Sequence, residues 1–418
     1  MLSNLFSSLI YRDFRLYFTG QLISVIGTWM QNVAQAWLVY RLSGSSFMLG
    51  LVAFAGLVPV LLLGMHGGLI ADRFSRRRIL IVLHILAMVI SFFLAYLVNV
   101  KAVTPTLLVF FSLMLGTLHA LEMPARHAFV AELVPREQLP NAVALSSSVF
   151  NLARFVGPGI AALLFSRFNE SLIFSLNGLS FLIMLLILFM ISSTPQKQSS
   201  DHQTSAQRLL EGFRYVWKVT EIRYALLLLA TISLVSTAHS VLMPVFSREV
   251  FNGEAKTFSA LIGSTGVGAF IAAMRLAYLS ESSHLPVRIR NAVVVAGIAM
   301  LIFPLQHHVT PAFFILALLG FALTTTVATI NTLIQLNVPD HLRGRVMALF
   351  SVLFIGLTSL GNLSAGLLGE KIGAPSTVIL YGAICLLAGL GYSLCLKRCG
   401  VVWARNEKRN ARRQRGDN

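Results

Sequence analysis

The chain has 418 residues, 56% hydrophobic and 12% charged, with a mean hydropathy of +0.76. A soluble domain carries about 25% charged residues, so a water-facing surface over the whole chain is excluded and lipid is the solvent for most of it. The net charge of +17 does not mark a nucleic-acid reader, because the basic residues fall in short clusters between long apolar runs and form no single face interleaved with aromatics.

Before the first apolar run, Arg12, Asp13 and Arg15 occupy the place of a signal peptide's apolar segment, and no A-x-A cleavage site follows. About 20 apolar residues cross a bilayer as a helix. Twelve such runs follow in order, near 16–40, 47–71, 79–99, 106–126, 141–166, 171–192, 222–246, 257–278, 288–306, 311–336, 345–369 and 376–396. Lipid gives backbone N–H and C=O groups no partner, so the expected fold is all-α with twelve transmembrane helices. The expected division is a six-helix half over 1–192, a linker over 193–221, a second half over 222–397 and a basic tail over 398–418.

Loop charge predicts the orientation. The face carrying the N-terminus receives 26 Lys and Arg and the opposite face six, so both termini are expected in the cytoplasm. In the linker, Leu209, Leu210, Phe213 and Trp217 share one helical face, with Arg208, Glu211, Arg214 and Lys218 largely elsewhere. This pattern predicts an amphipathic helix at the bilayer surface. The halves resemble each other at an offset of 204: VPREQLPNAVAL at 134–145 aligns on VPDHLRGRVMAL at 338–349, and Gly157 and Ala161 meet Gly361 and Ala365. A parallel repeat of this kind is a transporter architecture.

Polar residues recur at helical spacing inside several spans. In the first these are Gln21, Ser24, Thr28, Gln31 and Gln35, with Asn32 beside them; in the seventh, Ser233, Ser236, Thr237 and Ser240; in the tenth, Thr324, Thr325, Asn331 and Gln335. Such stripes either line a cavity or hydrogen-bond between helices. Of these, Gln21, Thr28, Gln31, Asn32, Gln35, Ser236, Ser240, Asn331 and Gln335 are the candidate cavity residues. Glu122, Arg126 and Arg154 are ionisable groups within spans, where charges pair or serve transport. Glu122 is read either as a structural partner of Arg126 or Arg154 or as a coupling acid, with His119 one turn away. The three cysteines, Cys385, Cys395 and Cys399, have no metal spacing. No nucleotide, metal or hydrolase motif is present. No cofactor and no enzyme activity are expected.

The segment GLIADRFSRRR, Gly68 to Arg78, resembles motif A of the major facilitator superfamily: Gly68, Asp72, Arg73, Arg77 and Arg78 match, and Ser75 replaces the usual glycine. With FTGQLISVIGTWMQNVAQAWLVYRLSGSSFMLGLV and NLARFVGPG, the chain is similar to the branch holding the enterobactin exporter and related drug effluxers. The resemblance implies a bacterial inner-membrane transporter of two pseudo-symmetric halves, with the first, fourth, seventh and tenth helices around the cavity. It also implies a gate in which Asp72 faces the start of the eleventh helix; topology alone also accounts for the arginines. The implied partners are a small amphiphilic substrate, a siderophore first, with protons and the bilayer. Lysophospholipid flipping, multidrug efflux and a transport-inactive sensor are the alternatives.

Overall fold

The computed structural model describes residues 7–191, 205–278 and 284–416. Twelve membrane-length helices follow one another: α1 (Arg12–Ser43), α2 (Ser46–Arg73), α3 (Arg76–Asn99), α4 (Pro105–Glu132), α5 (Leu139–Phe165), α6 (Glu170–Met190), α7 (Thr220–Val250, interrupted), α8 (Ala255–Tyr278), α9 (Leu285–Ile302), α10 (Val309–Asn337), α11 (Asp340–Ile372) and α12 (Ala374–Gly416). Eleven of them are long and apolar enough to cross a membrane by composition. The exception is α1, long enough at 32 residues but carrying the polar stripe that lowers its hydropathy. The end at which α1 begins is called the terminal face below.

The two halves repeat one packing plan. α1 packs on α5 and α6, α2 on α4, and α3 on α4 and α6; α7 packs on α11 and α12, α8 on α10, and α9 on α10 and α12. The halves meet along α2–α11 and α5–α8. Glycines permit the close crossings. A Cβ on Gly157 would lie 2.5 Å from the Cβ of Trp29 on α1, and one on Gly361 would press on the Leu234 carbonyl of α7. Residues 30 and 234 thus stand beside glycines at the same offset of 204, which carries the repeat into the first helix of each half.

Two expectations are corrected. The seventh span is not one helix: it is α-helical over Thr220–Val235, breaks at Ser236 and Thr237, and ends in a π-helical turn, Phe246–Val250. Pro244 lies just before that turn and cannot donate the helical N–H. α4 extends beyond 126 to Glu132 because its inner charges are paired: Arg76 and Glu132 form an ion pair with side chains 7% and 5% exposed. Gly56, Gly64 and Gly68, at multiples of four along α2, have nothing near their own Cβ positions; the close approach of α2 and α4 is made by Gly67 and by Gly116, whose Cβ would press on the Gly56 carbonyl. The stretch from 398 continues α12 as helix to Gly416.

The linker forms a helix over Ser205–Lys218 against α11, where Glu211 pairs with Arg345. Val216 is buried against the bundle, while Phe213 and Trp217 stack 5.7 Å apart and stay exposed. The side chains of Leu209 and Leu210 lie outside the described residues.

Candidate transport cavity

The orientation of α1 is fixed by what its faces touch. Gln31 accepts hydrogen bonds from Ser91 of α3 at 3.0 Å and from Asn177 of α6 at 2.8 Å. Gln35 donates to the Leu108 carbonyl at 3.1 Å and to the Ser112 hydroxyl at 2.6 Å, both on α4. Ile26 and Met30 lie against Gly157 of α5. At about 100° per residue, the face left over carries Asn32, which is exposed, with Trp29 on its α5 edge, where its Cβ also lies against Gly157. Gln31 and Gln35 therefore spend their amides on packing. Thr28 donates to the Ser24 carbonyl at 3.0 Å, and Gln21 is buried at 3% exposure.

The same wall carries two cations. On α5, Ser147 and Arg154 are exposed, and the Arg154 guanidinium carbon is 5.5 Å from the centre of the Trp29 ring. No carboxylate partners Arg154 among the described residues. Arg126 of α4 is buried with its guanidinium carbon 4.3 Å over Phe150, one helical turn from Arg154. Glu122 pairs with Arg126 at 3.4 Å and stands 3.8 Å from Nδ1 of His119. Of the two ion pairs open to Glu122, the structure forms the one with Arg126.

On the facing half, Ser236 lies in the break of α7 and Ser240 just beyond it, and the Ser240 hydroxyl donates to the Thr237 carbonyl at 2.9 Å. Gln335 of α10 is exposed and donates to Asn331 at 2.6 Å. His239 is buried, and its Nδ1 has no hydrogen-bond partner among the described residues. At the face away from the terminal one, the halves are tied. The Tyr40 hydroxyl donates to Glu249 at 2.5 Å, and Glu370 accepts from the Ser45 hydroxyl at 3.0 Å and the Phe47 N–H at 3.1 Å. Trp37 stacks on Phe258 with centroids 6.0 Å apart.

The motif residues sit at the terminal end of α2 and the start of α3. Arg77 donates to the Leu188 and Phe189 carbonyls at 2.7 and 3.0 Å, capping the end of α6. Arg73 and Arg78 are exposed, and Gly68 lies within α2. The side chain of Asp72 lies outside the described residues. Trp29, Phe150, Ser146, Ser147 and His127 were not anticipated at the wall. Their one sequence signal is position: Phe150 precedes Arg154, and Trp29 precedes Asn32, by about one turn.

Residues 3–409 match the family model described as transmembrane secretion effector, MFS_3. The chain belongs to this family of the major facilitator superfamily. It is therefore a multi-pass membrane transporter for small molecules and not an enzyme. Its relatives include the staphyloferrin A transporter of Staphylococcus aureus, 24% identical over 88% of this chain and 93% of that protein. The multidrug efflux pump Tap of Mycolicibacterium fortuitum is 25% identical over 87% and 91%. Among solved structures, a bacterial homologue of the human lysosomal transporter Spinster, inward-facing and occupied, has a TM-score of 0.73 at 14% identity, covering 93% of this chain and 97% of that one. A POT family transporter in complex with a thioalcohol-conjugated peptide has a TM-score of 0.72 at 12% identity over 93% and 96%. These structures share the fold.

Proposed function

We propose that this MFS_3 transporter exports an anionic or neutral, oxygen-rich amphiphile of the siderophore class by alternating access, driven by inward proton movement. The observation that carries the reading is Arg154, an exposed cation on the wall between the halves beside Trp29, without a carboxylate partner among the described residues. A cation in that place favours a carboxylate or catecholate ligand, and Asn32, Ser236, Ser240, Asn331 and Gln335 add neutral hydrogen-bonding groups. The staphyloferrin A transporter among the relatives supports the class. Glu122, held between Arg126 and His119, is the proposed coupling acid. The loop-charge bias supports cytoplasmic termini in a bacterial inner membrane, so the terminal face is the entry side.

A second reading, efflux of lipophilic cationic drugs, draws on the multidrug pump among the relatives and needs Glu122 as its ligand. Secretion separates the two. Under iron starvation, a strain lacking the protein releases less siderophore than its parent, and Arg154→Gln does not restore release. Unchanged secretion with new sensitivity to lipophilic cations transfers the assignment to drug efflux.

A further inference from the structure

A recess opens where α1, α4 and α5 meet, toward the terminal face from Arg154. Its polar lining is Gln21, Arg126, His127, Ser146 and Ser147, with Phe150 as floor. Gln21 is 3% exposed, and neither its Nε2 nor its Oε1 has a hydrogen-bond partner among the described residues; the Ser146 hydroxyl is likewise buried and unpartnered among them. Leaving such a group unpaired costs about 1–3 kcal/mol, so packing alone gives no reason for a glutamine there. Arg126, with its side chain 6% exposed, makes one polar contact among the described residues, the 3.4 Å pair with Glu122. A guanidinium has five N–H donors in a planar fork.

The set is rich in donors: the remaining guanidinium N–H groups, the Gln21 amide and the Ser146 hydroxyl. Phe150 holds the guanidinium plane from one side. A flat, two-oxygen anion fits such a fork, with both oxygens on the guanidinium and the amide and hydroxyl meeting the lone pairs left over. Phe150 and Arg154 are four residues apart on α5, a rise of about 6 Å, so the recess and Arg154 are neighbouring stations on one wall.

We infer that this recess is a carboxylate-binding subsite on the entry side of the cavity, where the acidic group of the exported molecule is held before it reaches Arg154. The inference rests on the reading of the cavity as the route of an anionic substrate.

The test is thermal unfolding of the purified full-length protein in detergent with citrate, a small tricarboxylate, as probe and choline chloride as the cationic control. Ligand binding to the folded state raises the unfolding temperature by mass action. Citrate is expected to do so saturably and choline not. Gln21→Leu and Ser146→Ala each weaken the apparent citrate affinity about tenfold, the effect of one lost hydrogen bond to a charged group, while the unliganded protein unfolds no earlier than the parent. Gln21→Glu, which places a carboxylate of the chain itself beside Arg126, removes the citrate response. Unchanged citrate affinity in all three variants, with loss only in Arg154→Gln, overturns the recess and leaves the cavity reading standing. A parent protein that responds equally to citrate and choline overturns both.

Discussion

Arg76 of α3 and Arg126 of α4 are both buried cations paired with a glutamate in the terminal half of α4. Arg76 is matched by Glu132 with both side chains almost fully enclosed, and removing one partner of such a pair strands the other at a cost of about 3–5 kcal/mol. Glu132→Gln is therefore expected to lower the unfolding temperature in detergent markedly, and Arg76→Met added to it should recover part of the loss. An unfolding temperature equal to the parent's in the single variant would show that the pair contributes no net stability. Glu122 differs, being 23% exposed with a looser contact to Arg126. If it carries the coupling proton, Glu122→Gln abolishes proton-driven uptake into inverted vesicles while exchange at equilibrium continues; full proton coupling in that variant removes the role. The residue scale was also the least legible in sequence. Gln31 and Gln35 recur at helical spacing as cavity residues do, but spacing names a face without naming the neighbour that covers it. The neighbours are Ser91, Asn177 and Ser112, from three other helices. Asn32, one position off that stripe, is the residue left facing the other half.

Elements were legible wherever one property decided them. Apolar length placed most of the membrane helices to within a few residues, because the hydrocarbon thickness sets it. Where two properties compete, the pattern misleads: Ser236, Thr237 and Pro244 interrupt α7 inside an apolar run, and Arg126 and Glu132 extend α4 past the point where charge suggests an end. The proposed gate belongs to this scale. Asp72 lies at the end of α2, and α11 begins at Asp340, so a charge facing the start of a helix is the contact that the motif implies. Asp72→Asn removes an interaction of about 0.3–1 kcal/mol. Transport should fall with protein abundance nearly normal; a well-expressed variant with parental flux would leave the motif as a topological signal. The linker helix offers a parallel test. Glu211 docks it on Arg345 of α11, while Phe213 and Trp217 face outward, suited to the bilayer interface. Replacing both aromatics with Ser is expected to release a separately expressed linker peptide from anionic vesicles, read by co-sedimentation with the vesicles; undiminished binding would assign the attachment to the basic residues alone.

For the whole molecule, the repeat unites fold and mechanism. Gly116 and Gly320 make close crossings of α4 on α2 and of α10 on α8, again at an offset of 204, so each half is built as one packed body. The seams between the halves, α2–α11 and α5–α8, are the surfaces about which such bodies rock. The ties at the far face, Tyr40 to Glu249 and Glu370 to the start of α2, join the halves on that side, and Ser147, Arg154 and Gln335 are exposed on the walls between them. The account's central claim is that this cavity carries an anionic ligand past Arg154. It is tested most directly by flux in proteoliposomes under an imposed proton gradient, comparing a carboxylate siderophore with a lipophilic cation. The account predicts gradient-driven siderophore transport that Arg154→Gln reduces at least about tenfold, the effect of losing one charge-assisted contact, with no transport of the cation. Cation flux that persists in Arg154→Gln, with no siderophore flux in the parent, would contradict it.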